Sequence, residues 1–137
     1  MPNNHSLAHE LDRVMRKIDA RMHKSMPSVD TGRIGPMGGL LLMQLHSMQP
    51  CKIQVLATAM GRDNSQLTRL TRDLEAKGIL KREPSPDDKR ATLLSVTELG
   101  KDFIREMKTV LTDVVNDVAK ELSDEETKTL IQLLQKL

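Results

Sequence analysis

The tightest constraint in this sequence is how little separates two stretches that each carry the marks of a helix. Gln54-Val55-Leu56-Ala57-Thr58-Ala59-Met60 reads as a short helix closed by Gly61, and Asp63, two residues on, is a good cap for the next. Glycine closes a helix because it reaches the left-handed conformation without steric cost, and aspartate opens one by accepting from the orphaned N–H groups of the first turn. Gln66 stands three residues after Asp63, where it can bond back to the cap as in a capping box. The second helix then runs to Lys77-Gly78. Two helices joined by so tight a turn form a helix-turn-helix.

Hydrophobic spacing predicts the elements on either side. Leu7, Leu11, Val14, Met15, Ile18 and Met22 recur every three or four positions, with Arg13, Arg16, Lys17 and Arg21 between them, which makes an amphipathic first helix over 7–26. It should stop near Met26-Pro27, because proline disfavours helical geometry in the residue before it, and the Ser/Asp/Thr/Gly cluster of 28–32 continues the break. A second helix begins around Pro36 and carries Leu40 to Met43, Leu45 and Met48 toward Pro50; its apolar density predicts deep burial. Beyond Gly78, Ile79-Leu80-Lys81-Arg82-Glu83 and Ala91-Thr92-Leu93-Leu94-Ser95-Val96 flank a turn-rich segment with two prolines and several charges, the pattern of a β-hairpin with a projecting tip. Thr97 caps a long helix with a stripe of Leu99, Phe103, Met107, Val110, Leu111, Val114, Val118 and Leu122. Ser123-Asp124-Glu125-Glu126 is a capping box opening a last helix with Leu130, Ile131, Leu133, Leu134 and Leu137. The expected fold is mainly α with a small β-hairpin, a winged helix-turn-helix in the order α-α-(β)-α-α-β-β-α-α.

Charge is informative through its distribution. The net charge of the 137 residues is only +2, yet residues 1–51, 52–96 and 97–137 carry +2, +3 and −3. A basic centre and an acidic tail are compatible with a phosphate-facing middle segment, although the same balance occurs in proteins that bind no nucleic acid. The N-terminus lacks the basic start and apolar stretch of a secretory signal, and Leu40-Leu41-Leu42-Met43 is too short to span a bilayer, so a cytoplasmic protein with no membrane partner is expected. With one aromatic residue, Phe103, and nine methionines, the core falls to Leu, Ile, Val and Met.

At about 100° per residue, Leu67, Leu70 and Leu74 share the inner face of the second helix of the pair, and Ser65, Thr68, Arg69, Arg72 and Ala76 lie opposite, with Gln66 on the flank. Short hydroxyls and forked guanidiniums can approach base edges and phosphates closely, and arginine suits bidentate contact with guanine. Helix periodicity alone favours a solvated face; the tight preceding helix and following hairpin reverse that preference toward DNA.

Leu56-Ala57, Leu67-Thr68-Arg69-Leu70, Leu74-Glu75-Ala76-Lys77-Gly78, Arg82, Asp88-Lys89-Arg90 and Leu94-Ser95-Val96-Thr97-Glu98-Leu99-Gly100 together resemble the multiple-antibiotic-resistance regulator (MarR) family. The resemblance covers nearly the whole chain. It implies a homodimeric transcription regulator, most often a repressor, whose recognition helices enter successive major grooves of a pseudo-palindromic duplex site while the wings reach the flanking minor grooves. Ser65, Gln66, Thr68, Arg69 and Arg72 become the major-groove contacts, Arg90 the minor-groove arginine, Lys89 a phosphate or groove contact, and Asp88 a brace paired to Arg90. A narrow minor groove concentrates negative potential and favours an inserted arginine; the alternative is that Asp88 and Arg90 only hold the hairpin together. The resemblance also implies one MarR-like domain over 1–137, with a DNA-binding lobe at 34–97 and a dimerisation region at 7–26 and 98–137. Apolar stripes at both termini of so short a chain call independently for a partner surface, either a second subunit or an intrachain bundle.

Relatives that bind small aromatic or lipophilic effectors point by resemblance to Met15, Met43 and Phe103 as a crevice lining, with core packing as the other reading. The lone Cys51 is either a small hydrophobe or a thiol-based redox sensor. His5 and His9 could sit one turn apart, but no HExxH or clustered Cys/His pattern accompanies them, so neither metal nor cofactor is expected. No nucleophile-plus-base set or glycine-rich phosphate loop argues for an enzyme. The rival binding module is a winged-helix protein-protein adaptor.

Overall fold

The computed structural model describes residues 4–25 and 35–137. The chain break expected at Met26-Pro27 and the polar cluster after it lie outside the described residues. The elements are α1 (Asn4–Ser25), α2 (Gly35–Met48), β1 (Cys51–Lys52), α3 (Ile53–Met60), α4 (Asn64–Ala76), β2 (Leu80–Pro84), β3 (Thr92–Val96), α5 (Glu98–Val118) and α6 (Asp124–Leu134). The small antiparallel sheet has the order β1-β3-β2. Its register pairs Cys51 with Leu94, Leu80 with Val96 and Pro84 with Thr92. This is a winged helix. Contacts divide the chain into two units, one of Met26–Lys108 and one of Met1–Ser25 with Thr109–Leu137.

In the central unit α3 and α4 end alike. Gly61 adopts φ 64°, and the N–H groups of Gly61 and Arg62 donate to the carbonyls of Thr58 and Ala57 at 3.2 and 3.0 Å. Gly78 adopts φ 75°, and the N–H groups of Gly78 and Ile79 donate to Glu75 and Leu74, both at 2.9 Å. Each is a Schellman closure, which satisfies the last carbonyls and turns the chain sharply. Asp63 opens α4: its carboxylate accepts from the Gln66 N–H at 2.8 Å and from the Ser65 hydroxyl at 2.7 Å. Only half of the expected capping box forms, because it is the Gln66 backbone, and not its side chain, that meets the cap.

Beneath these helices Leu41, Leu42, Leu45, Leu56, Leu67, Leu74, Leu80 and Leu94 are almost wholly buried and are joined by Ile79, Val96, Phe103, Ile104 and Met107. Each such leucine contributes roughly 1.5–3 kcal/mol of transfer free energy. The apolar run of α2 does not go inside as a block. Leu40 stays 58% exposed, since consecutive helical residues point around the axis rather than along one face. Leu99, expected on the inner stripe of α5, is also exposed, and Ile104 takes an inner place instead.

The start of α5 is knotted to the end of α4. The Thr97 hydroxyl lies 2.6 and 2.9 Å from the carbonyls of Gly78 and Ile79, between which it shares its single hydrogen, and accepts from the Gly100 N–H at 3.0 Å. The Thr97 N–H donates to the Ile79 carbonyl at 3.1 Å. Gly100 passes so close that a Cβ there would fall 2.1 Å from the Ile79 oxygen and 2.6 Å from Val96 Cγ1.

The terminal unit comprises α1, the later part of α5 and α6. Among its described residues only Val114 belongs to the buried apolar set. Arg21 pairs with Asp117 at 3.2 Å. The Ser123 capping box is complete, with the Glu126 N–H donating to the Ser123 hydroxyl at 3.1 Å and the Ser123 N–H to the Glu126 carboxylate at 2.9 Å. Leu7, Leu11 and Met15 of α1 and Leu130, Ile131, Leu133 and Leu134 of α6 remain exposed. Among the described residues no helix is long and apolar enough to cross a membrane.

Two predictions follow from the caps and the knot. Gly100→Ala costs about 3 kcal/mol in urea unfolding, because the added methyl meets rigid backbone, whereas Gly61→Ala, strained but in open space, costs about 1 kcal/mol; equal costs would remove the special status of Gly100. The Gln66 N–H, and after it the Ser65 hydroxyl, hold the Asp63 carboxyl below the usual carboxylate range. The cap therefore contributes fully above about pH 4 and less as pH falls through the lowered value. The melting-temperature gap between wild type and Asp63→Ala should narrow on acidification, and a widening gap would contradict this cap.

Candidate nucleic-acid interface

The outer face of α4 carries the residues that the sequence singles out. Ser65, Gln66, Arg69, Arg72 and Ala76 are exposed and Thr68 is half-buried, while Leu67, Thr71 and Leu74 face inward. The two hydroxyls are oriented by the helix: Ser65 donates to the Asp63 carboxylate at 2.7 Å and Thr68 to the Asn64 carbonyl at 2.7 Å.

Ion pairing separates the arginines into two groups. Arg13, Arg16, Arg21, Arg82 and Arg105 each hold a carboxylate: Glu10, Asp12, Asp117, Glu75 and Asp102 respectively. Among the described residues, the side chains of Arg62, Arg69, Arg72 and Arg90 hold none. All four lie on the helix-turn-helix or the wing. Unpaired guanidiniums keep their full donor capacity for an external anion. Arg62 was not among the residues marked by helix periodicity, because it sits in the turn; its signal is its place immediately before the Asp63 cap.

The wing is built by a short chain of local bonds. The Ser85 N–H donates to the Ala91 carbonyl at 2.9 Å, and Ser85 itself is buried. The Ala91 N–H donates to the Asp88 carbonyl at 3.0 Å, and the Arg90 N–H to the Asp88 carboxylate at 2.9 Å. Asp88 thus meets the backbone of Arg90, where an ion pair with its guanidinium was expected; an aspartate two residues ahead of an N–H closes an Asx-turn more readily than it reaches a long side chain. Lys89 and Arg90 project from the tip, exposed and, among the described residues, without an intramolecular side-chain partner.

Arg82 behaves differently from the other cations of this face. From β2 its Nε donates to the Glu75 carboxylate and a terminal nitrogen donates to the Thr71 hydroxyl at 2.9 Å. Arg82 and Glu75, together with Arg72 and Ala76, line an open hollow of about 470 Å³.

The remaining candidates do not gather into a site. Cys51 is buried in β1 opposite Leu94, and burial pushes its thiol up, which disfavours the thiolate that oxidants attack. Phe103 is only 6% exposed and belongs to the core, Met43 is half-buried, and Met15 is 61% exposed in the other unit. Among the described residues no three His, Cys, Asp or Glu side chains stand close enough to hold a metal ion.

Comparison with known proteins fits this geometry. A family model described as the MarR family matches residues 39–92, which contain the helix pair and most of the hairpin. An uncharacterized HTH-type transcriptional regulator, YxaD of Bacillus subtilis, is 32% identical over 107 residues, covering 78% of this chain and 75% of that protein. Wild-type apo MarR from E. coli superposes with a TM-score of 0.82 at 25% identity over 99% of this chain and 96% of that one. A mutant E. coli MarR complexed with operator DNA gives 0.77 at 25% identity, over 96% and 92% of the two chains. The chain belongs to the MarR family of transcription regulators.

Proposed function

We propose that this regulator acts as a homodimeric, cytoplasmic repressor without catalytic activity, which binds a pseudo-palindromic DNA site through the outer face of α4 and the wing. The observation that carries the reading is the set of unpaired arginines: the described chain neutralises its other guanidiniums internally and leaves free those of Arg62, Arg69, Arg72 and Arg90. A mutant E. coli MarR, similar over nearly the whole chain, is complexed with operator DNA, which supports DNA binding as such. Arg69 and Arg72, with Ser65, Gln66 and Thr68, would read the major groove, where guanine offers two acceptors to a fork. Arg90 would enter the minor groove with Lys89 on the adjacent phosphate. The central unit, Met26–Lys108, would serve as the DNA-binding lobe.

Dimerisation would involve the terminal unit. It buries little beyond Val114 and leaves Leu7, Leu11, Met15, Val115, Leu122, Leu130, Ile131, Leu133 and Leu134 exposed, an apolar surface unsuited to water. A two-fold partner would cover it and set two α4 faces about one DNA turn apart, roughly 34–36 Å. Release by a small lipophilic or aromatic molecule is the further part of the reading. Phe103, committed to the core, is not assigned to that contact.

Selection from random duplexes followed by fluorescence anisotropy tests the reading. An inverted repeat should emerge. Arg72→Ala should weaken its binding by 1–3 kcal/mol, about 5- to 150-fold, and Arg90→Ala should reduce the salt slope by about one. A protein-protein adaptor would show neither, so failure to retain any duplex at low salt defeats the proposal. Ile131→Glu should turn dimers into monomers in sedimentation at micromolar concentration; an unchanged dimer would remove the terminal unit from the interface.

A further inference from the structure

The helix that would read the major groove and the hairpin that would enter the minor groove are joined by only Lys77, Gly78 and Ile79. A link this short fixes where β2 begins but leaves its tilt against α4 to side chains. Among the described residues, one hydrogen-bonded side-chain bridge crosses from β2 to α4, and Arg82 makes it. Its Nε holds the Glu75 carboxylate and a terminal nitrogen holds the Thr71 hydroxyl at 2.9 Å, so the guanidinium is gripped at two points one helical turn apart. Thr71 is itself fully buried, and its hydroxyl donates to the Thr68 carbonyl at 3.0 Å. The bridge therefore ends in the backbone of α4, with Thr71 lying between Arg69 and Arg72 in sequence and Thr68 immediately before Arg69.

Thr71 needs this partner as much as Arg82 does. A buried hydroxyl that donates but accepts nothing leaves polar capacity unused in a dry place, and here the guanidinium supplies the missing donor. A planar fork serves carboxylate and hydroxyl through two separate nitrogens held in one plane; a lysine ammonium would bring the charge on a single nitrogen without that fixed geometry. Glu75 adds a second reason for the contact. It is an acidic group beside Arg72 on a face that would meet phosphates, and Arg82 cancels its charge.

We infer that Arg82 is a positioning residue for DNA binding: held by Thr71 and Glu75, it sets the wing's angle to α4 so that Arg69 and Arg72 on one side and Arg90 on the other engage a single duplex at once. It touches no base in this role. Two weak contacts held in register reinforce one another through effective concentration, and the reinforcement disappears when geometry forbids simultaneous engagement. The inference rests on the DNA-binding reading above.

A double-mutant cycle on the full-length dimer tests it, using the selected duplex and anisotropy. Arg82→Lys should weaken binding on the order of tenfold, with a salt slope reduced to that of Arg90→Ala, although the charge is kept. Adding Arg82→Lys to Arg90→Ala should change affinity less than twofold, because the wing contact that Arg82 organises is already gone. Arg82→Met combined with Glu75→Gln should stay weak. Losses that multiply would mean that Arg82 contacts DNA itself or acts elsewhere, and recovery in the Arg82→Met, Glu75→Gln protein would mean that it merely neutralises a charge; either result overturns the inference. Wild-type affinity in Arg82→Lys overturns it too. Should that variant fail to fold by circular dichroism, Thr71→Val, which removes one anchor, must show the same non-additivity with Arg90→Ala. If wild type retains no duplex at all, the DNA-binding reading has failed, and that outcome is distinct from all of these.

Discussion

The central unit is organised around a place where the chain crosses itself with no room for a side chain. At Gly100 the first turn of α5 lies against the Ile79 carbonyl, and Thr97 ties the same carbonyl and that of Gly78 to the start of the helix. Four elements end or begin here: α4 finishes, β2 starts, β3 finishes and α5 starts. Polar groups that would otherwise be orphaned at two helix ends satisfy one another, which is why a threonine and a glycine three residues apart can hold so much of the fold in register. The sheet, the helix pair and the first turns of α5 then share one leucine-rich core.

On that frame, the site depends on which charges are left alone. Among the described residues, guanidiniums outside the helix-turn-helix and wing are matched with carboxylates, mostly one helical turn away on their own helices. Pairs of this kind contribute little to stability individually. Their effect is rather on which cations stay available: among the described residues the guanidiniums without a carboxylate partner are those of α4, the turn before it and the wing tip, although the whole chain carries only +2.

Much of this was legible in the residues because it is local. Caps act over three or four positions, so Gly61, Asp63, Gly78, Thr97 and the Ser123 box could be read from type and spacing, and each sits where that reading puts it. The alternation of Leu94 and Val96 likewise showed the inner side of β3. What escaped is non-local or depends on rotation about an axis. The short strand expected between the second and third helices is present as β1, but its partners, Leu93 and Leu94, could not be read locally. The exposure of Leu40 and Leu99 depends on which neighbours arrive, and the grip of Arg82 on Thr71 joins residues eleven apart that no helix or hairpin period relates. Asp88 shows the same limit in miniature, since residue type pointed to a brace and geometry chose the backbone partner.

The inward hydrogen bonds of Ser65 and Thr68 have a consequence for the alphabet this surface would read on the proposed DNA site. A hydroxyl has a single hydrogen, and both spend it on α4 or its cap, at 2.7 Å in each case. Toward a base they can offer lone pairs alone, which suit the amino groups of adenine and cytosine, while the neighbouring guanidiniums offer hydrogens alone, which suit the O6 and N7 of guanine. One helical face thus presents both polarities in a fixed pattern, and a base pair read the wrong way round would set acceptor against acceptor.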